Sequence, residues 1–171
     1  MQVIEDLKKF STATIFNAVV GITGGLAKES GLDLYSGPEI RCLLPDLGPT
    51  VGFAVTCELT TSDPDACSAP WKNYYGMLDQ TKGPIISVFK DISLSVGRGA
   101  SFGDEMAATH KMLGVKGVVV DGTVRDLKGI QDQGLPIWAR GLVPGHGLFN
   151  LKSMNKSVTV AGLQINHGDL L

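Results

Sequence analysis

The stretch Gly114–Leu127, GVKGVVVDGTVRDL, decides the fold. Within it, Lys116 to Asp121 (KGVVVD) is too uniformly apolar for a strand with one wet face, so it reads as a strand covered on both sides. Just before it, Asp104 to Leu113 (DEMAATHKML) reads as a helix stopped by Gly114, a residue suited to the left-handed position past a helix end. Just after it, Leu127 to Gln133 reads as a second short helix closed by Gly134. Leu135 to Arg140 (LPIWAR) is then the next strand, with Pro136 near its start, where a missing N–H is tolerated. Upstream, Pro84 to Phe89 (PIISVF) reads as a short buried strand. The result is β-α-β-α-β from Pro84 to Arg140, the core of an α/β fold.

Further out the signals thin. Ser11 to Val20 reads as a helix entered through Ser11 or Thr12, hydroxyl residues suited to an N-cap. Val51 to Thr60 (VGFAVTCELT) is β-rich, and Ser62 to Gly83 reads as a loop leading into a short helix. Val158 to Ile165 (VTVAGLQI) alternates like one antiparallel strand. The closing INHGDLL reads as a turn launching an unpaired strand, so we expect one domain over residues 1–171 that lacks its C-terminal end.

Composition narrows the function. A chain of 171 residues suits one domain with a real core. The formal charge is −2 and no lysine- or arginine-rich run occurs, which argues against a broad nucleic-acid-binding face. No apolar run approaches the roughly 20 residues of a membrane helix. The start, MQVIEDLKKF, carries charges in its first turns and does not read as a signal peptide. Cys42, Cys57 and Cys67 form no CxxC pair and leave one cysteine over in any disulfide scheme, as expected of a reduced, cytoplasmic setting.

In a β-α-β unit, helix N-termini and strand C-termini share one edge of the sheet, and ligands of open α/β sheets bind there. Asp104, Asp121, Arg125 and Asp126 are therefore expected to converge. The N–H groups of Glu105 and Met106, at a helix start, suit a substrate carboxylate, and Gly103 lets backbone and ligand approach closely. Carboxylates with open coordination positions suit Mg²⁺ or Mn²⁺. An arginine beside that metal can meet an oxygen whose negative charge grows during reaction. Such a set would hold a small 2-oxo acid and stabilise its enolate. A blander reading fits the same residues: acidic side chains at helix starts favour the dipole, and Arg-Asp dipeptides are commonly solvated pairs.

Other motifs carry less. Gly97-x-Gly99-x-x-x-Gly103, followed by a helix and a strand ending in Asp121, imitates a dinucleotide-binding fingerprint. Its glycines do not form the tight turn after PIISVF, and it sits past mid-chain. His146 could serve as an acid or ligand. His110 reads as packed, Lys116 and Lys128 as too exposed for a Schiff base, and Cys57 with Cys67 as lacking a histidine at ligand spacing. Trp71, Tyr74 and Tyr75 read as the packed aromatic face of a helix.

The runs Gly103–Ala107, Gly114–Leu127 and Leu135–Gly141 (LPIWARG) resemble the RraA-like family, and the resemblance continues upstream through Phe10–Val19 and Val51–Thr56. The similarity is to its metal-dependent 4-hydroxy-4-methyl-2-oxoglutarate / 4-carboxy-4-hydroxy-2-oxoadipate aldolases, whose signature of an Asp, twenty residues and Arg-Asp is matched by Asp104, Arg125 and Asp126. The resemblance implies a swivelling β/β/α fold and homotrimers or homohexamers with active sites between subunits. It implies that Asp126 anchors Mg²⁺ or Mn²⁺ and that Arg125 contacts the carbonyl that becomes the enolate. Asp104 would orient metal-bound water, and the amides of Glu105 and Met106 would hold the carboxylate. The expected activity is that of a class II pyruvate aldolase with oxaloacetate decarboxylase activity. Its substrate is a small 2-oxo acid, without nucleic-acid or membrane partners. The family's other branch, non-catalytic regulators that bind ribonuclease E, is the alternative. Two features depart from the aldolase pattern. Asn17 stands where the family's N-terminal helix often has Asp, and the acidic residue that aldolases draw from a neighbouring subunit's C-terminal region has no counterpart here, which leaves the proton donor unassigned.

Overall fold

Ten residues, Val115–Val124, form the central strand β5, and the rest of the fold is arranged around them. The computed structural model describes residues 2–24, 34–65 and 69–171. In chain order these form α1 (Gln2–Leu7), α2 (Thr12–Thr23), β1 (Arg41–Cys42), β2 (Phe53–Thr60), α3 (Trp71–Gln80), β3 (Ile85–Asp91), β4 (Ala100–Phe102), α4 (Asp104–Met112), β5, α5 (Leu127–Asp132), β6 (Ile137–Leu142), β7 (Asn150–Met154), β8 (Val158–Val160) and β9 (Leu163–Ile165).

The main sheet runs β1-β6-β5-β3-β2-β7. Strands β2, β3, β5 and β6 are parallel, while β1 and β7 close the edges antiparallel. β3 accompanies β5 only from Ile85↔Val115 to Lys90↔Asp121. Beyond that, β4 takes over, pairing Ala100 with Thr123 and Phe102 with Val124. The expected β-α-β-α-β order holds, with β4 inserted between β3 and α4. The handover explains why β5 outruns the expected Lys116–Asp121 segment.

Both faces of the sheet are covered, as the apolar run demanded, but by different means. On one face Tyr74 and Leu78 of α3, Ala107 of α4 and Ile130 of α5 pack on Val118, Val120, Phe89 and Phe102. On the other, Val158, Val160 and Ile165 pack on Ala54, Ile86 and Val88. That second cover is a hairpin, so the single strand expected over Val158–Ile165 is corrected to β8 and β9. Ala161 (φ 43°) and Gly162 (φ 84°) turn the chain between them with both central residues at positive φ, the geometry of a tight two-residue hairpin. The alanine hides this turn, because alanine rarely adopts such a φ.

The final residues are also paired, where an unpaired strand start was expected. Leu170 bridges Phe53, Gly52 and Leu171 exchange two backbone hydrogen bonds, and Ala54 donates to the Asp169 carbonyl. The helix ends follow their sequence signals. The Ser11 hydroxyl accepts from the Thr14 N–H at 3.1 Å to open α2, and Gly114 (φ 84°) follows the end of α4. Among the described residues, no helix is long and apolar enough to cross a membrane.

Candidate functional site

Asp126 follows directly from the end of β5. The Arg125 N–H donates to the Phe102 carbonyl at 3.0 Å, and the Val143 N–H donates to the Val124 carbonyl at 3.0 Å. The chain is thus pinned between β4 and the segment after β6. It then turns through Asp126 at φ 57° and ψ 39°, a left-handed conformation that costs non-glycine residues roughly 1–2 kcal/mol and that aspartate tolerates better than most. Asp126 opens α5 through its carbonyl, which accepts from the Ile130 N–H at 3.1 Å, while its carboxylate makes no capping bond. The side chain is therefore not spent on capping the helix, and it is 38% exposed.

That carboxylate lies beside Arg125, with Nε 3.0 Å from Asp126 Oδ2. The pair attracts electrostatically, but the N–H does not point at the oxygen. Arg125 Nε is buried without an acceptor among the described residues. A buried donor left unpaired costs about 1–3 kcal/mol, so this N–H is poised for an oxygen brought by a ligand. Gly103 makes the arrangement possible: a Cβ there would lie 3.1 Å from Asp126 Oδ2 and 3.5 Å from Arg125 Nε. Asp104 joins the group from the first turn of α4, tucked against Gly129 of α5, where a Cβ would fall 2.5 Å from Asp104 Cβ. Its Oδ1 accepts from the Glu105 N–H at 2.8 Å, so a carboxylate bound at that amide would displace Asp104 first.

Gly103, Arg125 and Asp126 are thus brought together at the C-terminal edge of the sheet, with Asp104 next in the chain but turned against Gly129. An open cleft of about 380 Å³ adjoins them, lined by Arg125, Asp126, Leu127, Leu142, Val143 and Pro144. Neither Glu105 nor Met106 lines it. Leu142, Val143 and Pro144 were not singled out in the sequence. Their signal was the apolar run directly after LPIWARG, at the end of a strand neighbouring β5.

Asp121 does not belong to this group, contrary to expectation. It lies within β5, because that strand continues to Val124, and it is fully buried. Lys90 Nζ and Arg140 Nε each lie 2.5 Å from one of its oxygens, and the Ala161 N–H donates to it at 3.3 Å. Burial alone would raise its pKa, but the two cations outweigh that and hold it below the ordinary carboxylate value. Asp121 ties the sheet to the β8–β9 hairpin.

The glycines of the imitation fingerprint also have structural explanations. Gly97 (φ 80°) donates its N–H to Asp91, and its carbonyl accepts from Thr123. Gly99 sits where a Cβ would meet Gly147 Cα at 3.0 Å. Strand β4 then intervenes before α4, which no phosphate-cradling turn allows.

The remaining candidates fall outside the site. His110 is buried among Phe89, Phe102 and Tyr74; its Nδ1 faces the Met106 carbonyl at 2.7 Å and its Nε2 the Tyr74 hydroxyl at 3.0 Å. Because a carbonyl only accepts, Nδ1 carries the proton and Nε2 accepts from the phenol. Burial pushes the His110 pKa down to about 4. His146 is exposed on the loop after β6, its ring against Phe149, and does not line the cleft. Lys116 and Lys128 are exposed, and Lys128 pairs with Asp132. Burial raises the pKa of the Cys57 thiol, and Cys67 lies outside the described residues. Trp71, Tyr74 and Tyr75 pack together on α3. Asn17 is exposed on α2.

Among the described residues no three His, Cys, Asp or Glu side chains come together as a metal cage. A divalent ion here would be held by Asp126, with water completing its shell. That fits Mg²⁺, which keeps several waters and takes one or two carboxylates.

A family model described as RraA-like, aldolase/RraA, matches residues 12–171. An uncharacterized protein of Methanocaldococcus jannaschii is 35% identical over 137 residues, covering 77% of this chain and 60% of that protein. A putative 4-hydroxy-4-methyl-2-oxoglutarate aldolase of Halalkalibacterium halodurans is 31% identical over 70 residues, 40% of this chain and 33% of that protein. The chain therefore spans less than two thirds of the length of either relative. Among solved structures, RraAS2 of Streptomyces coelicolor, described as an unusual member of the RNase ES inhibitor RraA protein family, superposes with a TM-score of 0.73 at 24% identity, over 99% of this chain and 79% of that one. That likeness shows the shared fold.

Proposed function

From the premise that the chain belongs to the RraA-like family, we propose that it is a divalent-metal-dependent lyase. Its reaction is retro-aldol cleavage of a 4-hydroxy-2-oxo diacid, of the 4-hydroxy-4-methyl-2-oxoglutarate type, to pyruvate and a second oxo acid. The observation that carries this reading is the buried Arg125 Nε–H, which has no hydrogen-bond acceptor among the described residues, ion-paired beside the partly exposed Asp126 carboxylate. In the cleavage a base removes the C4 hydroxyl proton and that C–O becomes a carbonyl. The C3–C4 electron pair moves toward C2, and the 2-oxo oxygen becomes an enolate oxygen. C3 is then protonated to give the methyl of pyruvate.

Asp126 would hold Mg²⁺ or Mn²⁺, and a bound ion supplies Lewis-acid polarisation of the 2-oxo group. Arg125 meets the same oxygen as its charge grows, in a partly water-shielded position where such a donor is worth more than in bulk water. Asp104 would orient water or a proton, the role that the aldolase signature implies for it. Decarboxylation of oxaloacetate passes through the same pyruvate enolate and is the expected second activity. Helix α2 supports an assembly of copies: it carries Ile15, Phe16, Val19, Val20 and Ile22, yet none of its residues is buried within this chain. A homotrimer or homohexamer would cover it and bring a neighbour to the site.

The test is pyruvate release from the hydroxy diacid and from oxaloacetate, with Mg²⁺ and with EDTA. Loss of turnover in EDTA, in Asp126→Ala and in Arg125→Ala is expected. Turnover that survives all three sinks the proposal. The second reading is a non-catalytic regulator that binds a ribonuclease of the E type, supported by the family's description, which couples aldolase with RraA. A folded protein that captures such a nuclease and turns over neither substrate would establish it.

A further inference from the structure

Tyr74 and His110 are buried polar side chains that take no part in the cleavage chemistry, yet both lie against the elements that carry the site. Tyr74 belongs to α3 and His110 to α4, and both are fully buried. The Tyr74 hydroxyl donates to His110 Nε2 at 3.0 Å, and His110 Nδ1–H donates to the Met106 carbonyl at 2.7 Å. Met106 is in the first turn of α4, so the imidazole reaches back one turn and grips the end of the helix nearest the site. The same ring stands edge-on to Phe102, with centroids 5.0 Å apart. Phe102 ends β4, and its carbonyl accepts the Arg125 N–H at 3.0 Å. Gly103 follows it and lies against the Arg125 side chain, where an added Cβ would be 3.5 Å from Nε. An unbroken run of contacts therefore leads from Tyr74 through His110 and Phe102 to Arg125.

Apolar side chains would fill the same space, but dispersion contacts are non-directional and let neighbouring elements settle at more than one distance. A buried hydrogen bond fixes distance and direction, and leaving either partner unpaired is costly, which holds α3 and α4 in one relative setting. Arg125 depends on such support. Its Nε–H has no acceptor among the described residues, so packing sets where that donor points. We propose that Tyr74 and His110 are positioning residues, a hydrogen-bonded strut that holds α4 and the end of β4 where they aim the Arg125 Nε–H at a ligand oxygen. The effect on turnover rests on the lyase reading, whereas the effect on Arg125 does not.

The experiment compares the native protein with Tyr74→Phe, His110→Leu, His110→Gln and Val160→Ala. Tyr74→Phe removes only the hydroxyl, and His110→Leu fills the space without polar atoms. His110→Gln returns an acceptor for the phenol and a donor for the carbonyl. Val160→Ala thins the opposite cover of the sheet and controls for lost stability alone. The readouts are water exchange of the Arg125 Nε–H, followed by NMR and assigned by its loss in Arg125→Lys, and pyruvate release with Mg²⁺. Tyr74→Phe and His110→Leu are expected to speed the exchange about tenfold or more. They should lower kcat by about the same factor with KM little changed, because a donor aimed at developing charge is lost from the transition state. His110→Gln should lie nearer the native protein than His110→Leu in both readouts, and Val160→Ala should change neither. Native-like exchange in Tyr74→Phe and His110→Leu, an equal change in Val160→Ala, or His110→Gln no nearer the native protein than His110→Leu overturns the proposal. If the native protein releases no pyruvate while the exchange responds as expected, the lyase reading fails and the strut stands.

Discussion

Acidification is expected to weaken this protein through one buried side chain, His110. The imidazole is enclosed by Phe89, Phe102 and Tyr74, with both ring nitrogens engaged as a neutral ring requires. Protonation would place a charge among aromatic rings and turn Nε2 into a donor facing a phenol that burial keeps protonated. The folded-state pKa is accordingly about 4, against the ordinary 6.5 of the unfolded chain. Between those values the unfolded chain binds the proton and the native protein does not, so stability falls as pH falls through 6.5 and levels off near 4. The full effect is about 3 kcal/mol, and between pH 7.5 and pH 5 it is about 2 kcal/mol, roughly 4–8 °C in melting temperature for a domain of this size. Denaturant melts at these two pH values, on the protein and on His110→Gln, isolate the contribution. The substitution lowers stability at pH 7.5, but its loss on acidification should be about 2 kcal/mol smaller than that of the native protein. Equal losses in the two proteins would refute the assignment of a neutral, proton-resisting His110.

Further expectations concern the site and its frame. Gly129→Ala places a Cβ 2.5 Å from Asp104 Cβ, so it should displace Asp104 and lower kcat at least tenfold. Its stability cost should be only about 1–2 kcal/mol, because better helix propensity offsets part of the overpacking; unchanged kcat would show that Asp104 is not needed where it stands. Asp126→Gly and Asp126→Ala should be equally inactive in the pyruvate-release assay. The glycine variant should unfold about 1 kcal/mol later, since only alanine strains the left-handed backbone at φ 57°. Asp121→Asn should cost about 2 kcal/mol in urea melts, below the usual range for breaking a buried pair, because Lys90 and Arg140 are partly exposed and can turn to water. Asp121's folded pKa is lowered, so its stabilisation is present above the unfolded carboxylate value and is lost as pH falls through the folded one.

What the sequence determined by itself was the ordered middle of the chain. A run as apolar as KGVVVD belongs to a strand covered on both faces, and Gly114 and Gly134 mark local backbone conformations that other residues avoid. Those are short-range facts, legible in neighbouring residues. The Asp104, Arg125 and Asp126 spacing was legible for the same reason, since each sits at an element boundary of one repeating unit. Tertiary structure alone decided the rest. Whether Asp121 ends its strand or lies inside it depended on β4 replacing β3 along β5, a pairing that no local pattern marks. The second cover of the sheet turned out to be a hairpin, because its turn runs through an alanine at a conformation set by strand twist. The same holds for Arg125: its place in the chain put it beside Asp126, but only the folded structure, with Gly103 close to both, shows its Nε–H buried and without an acceptor among the described residues. The cleft wall of Leu142, Val143 and Pro144 became part of the site because β6 lies next to β5 in space, while β7, the next strand in sequence, lies at the far edge.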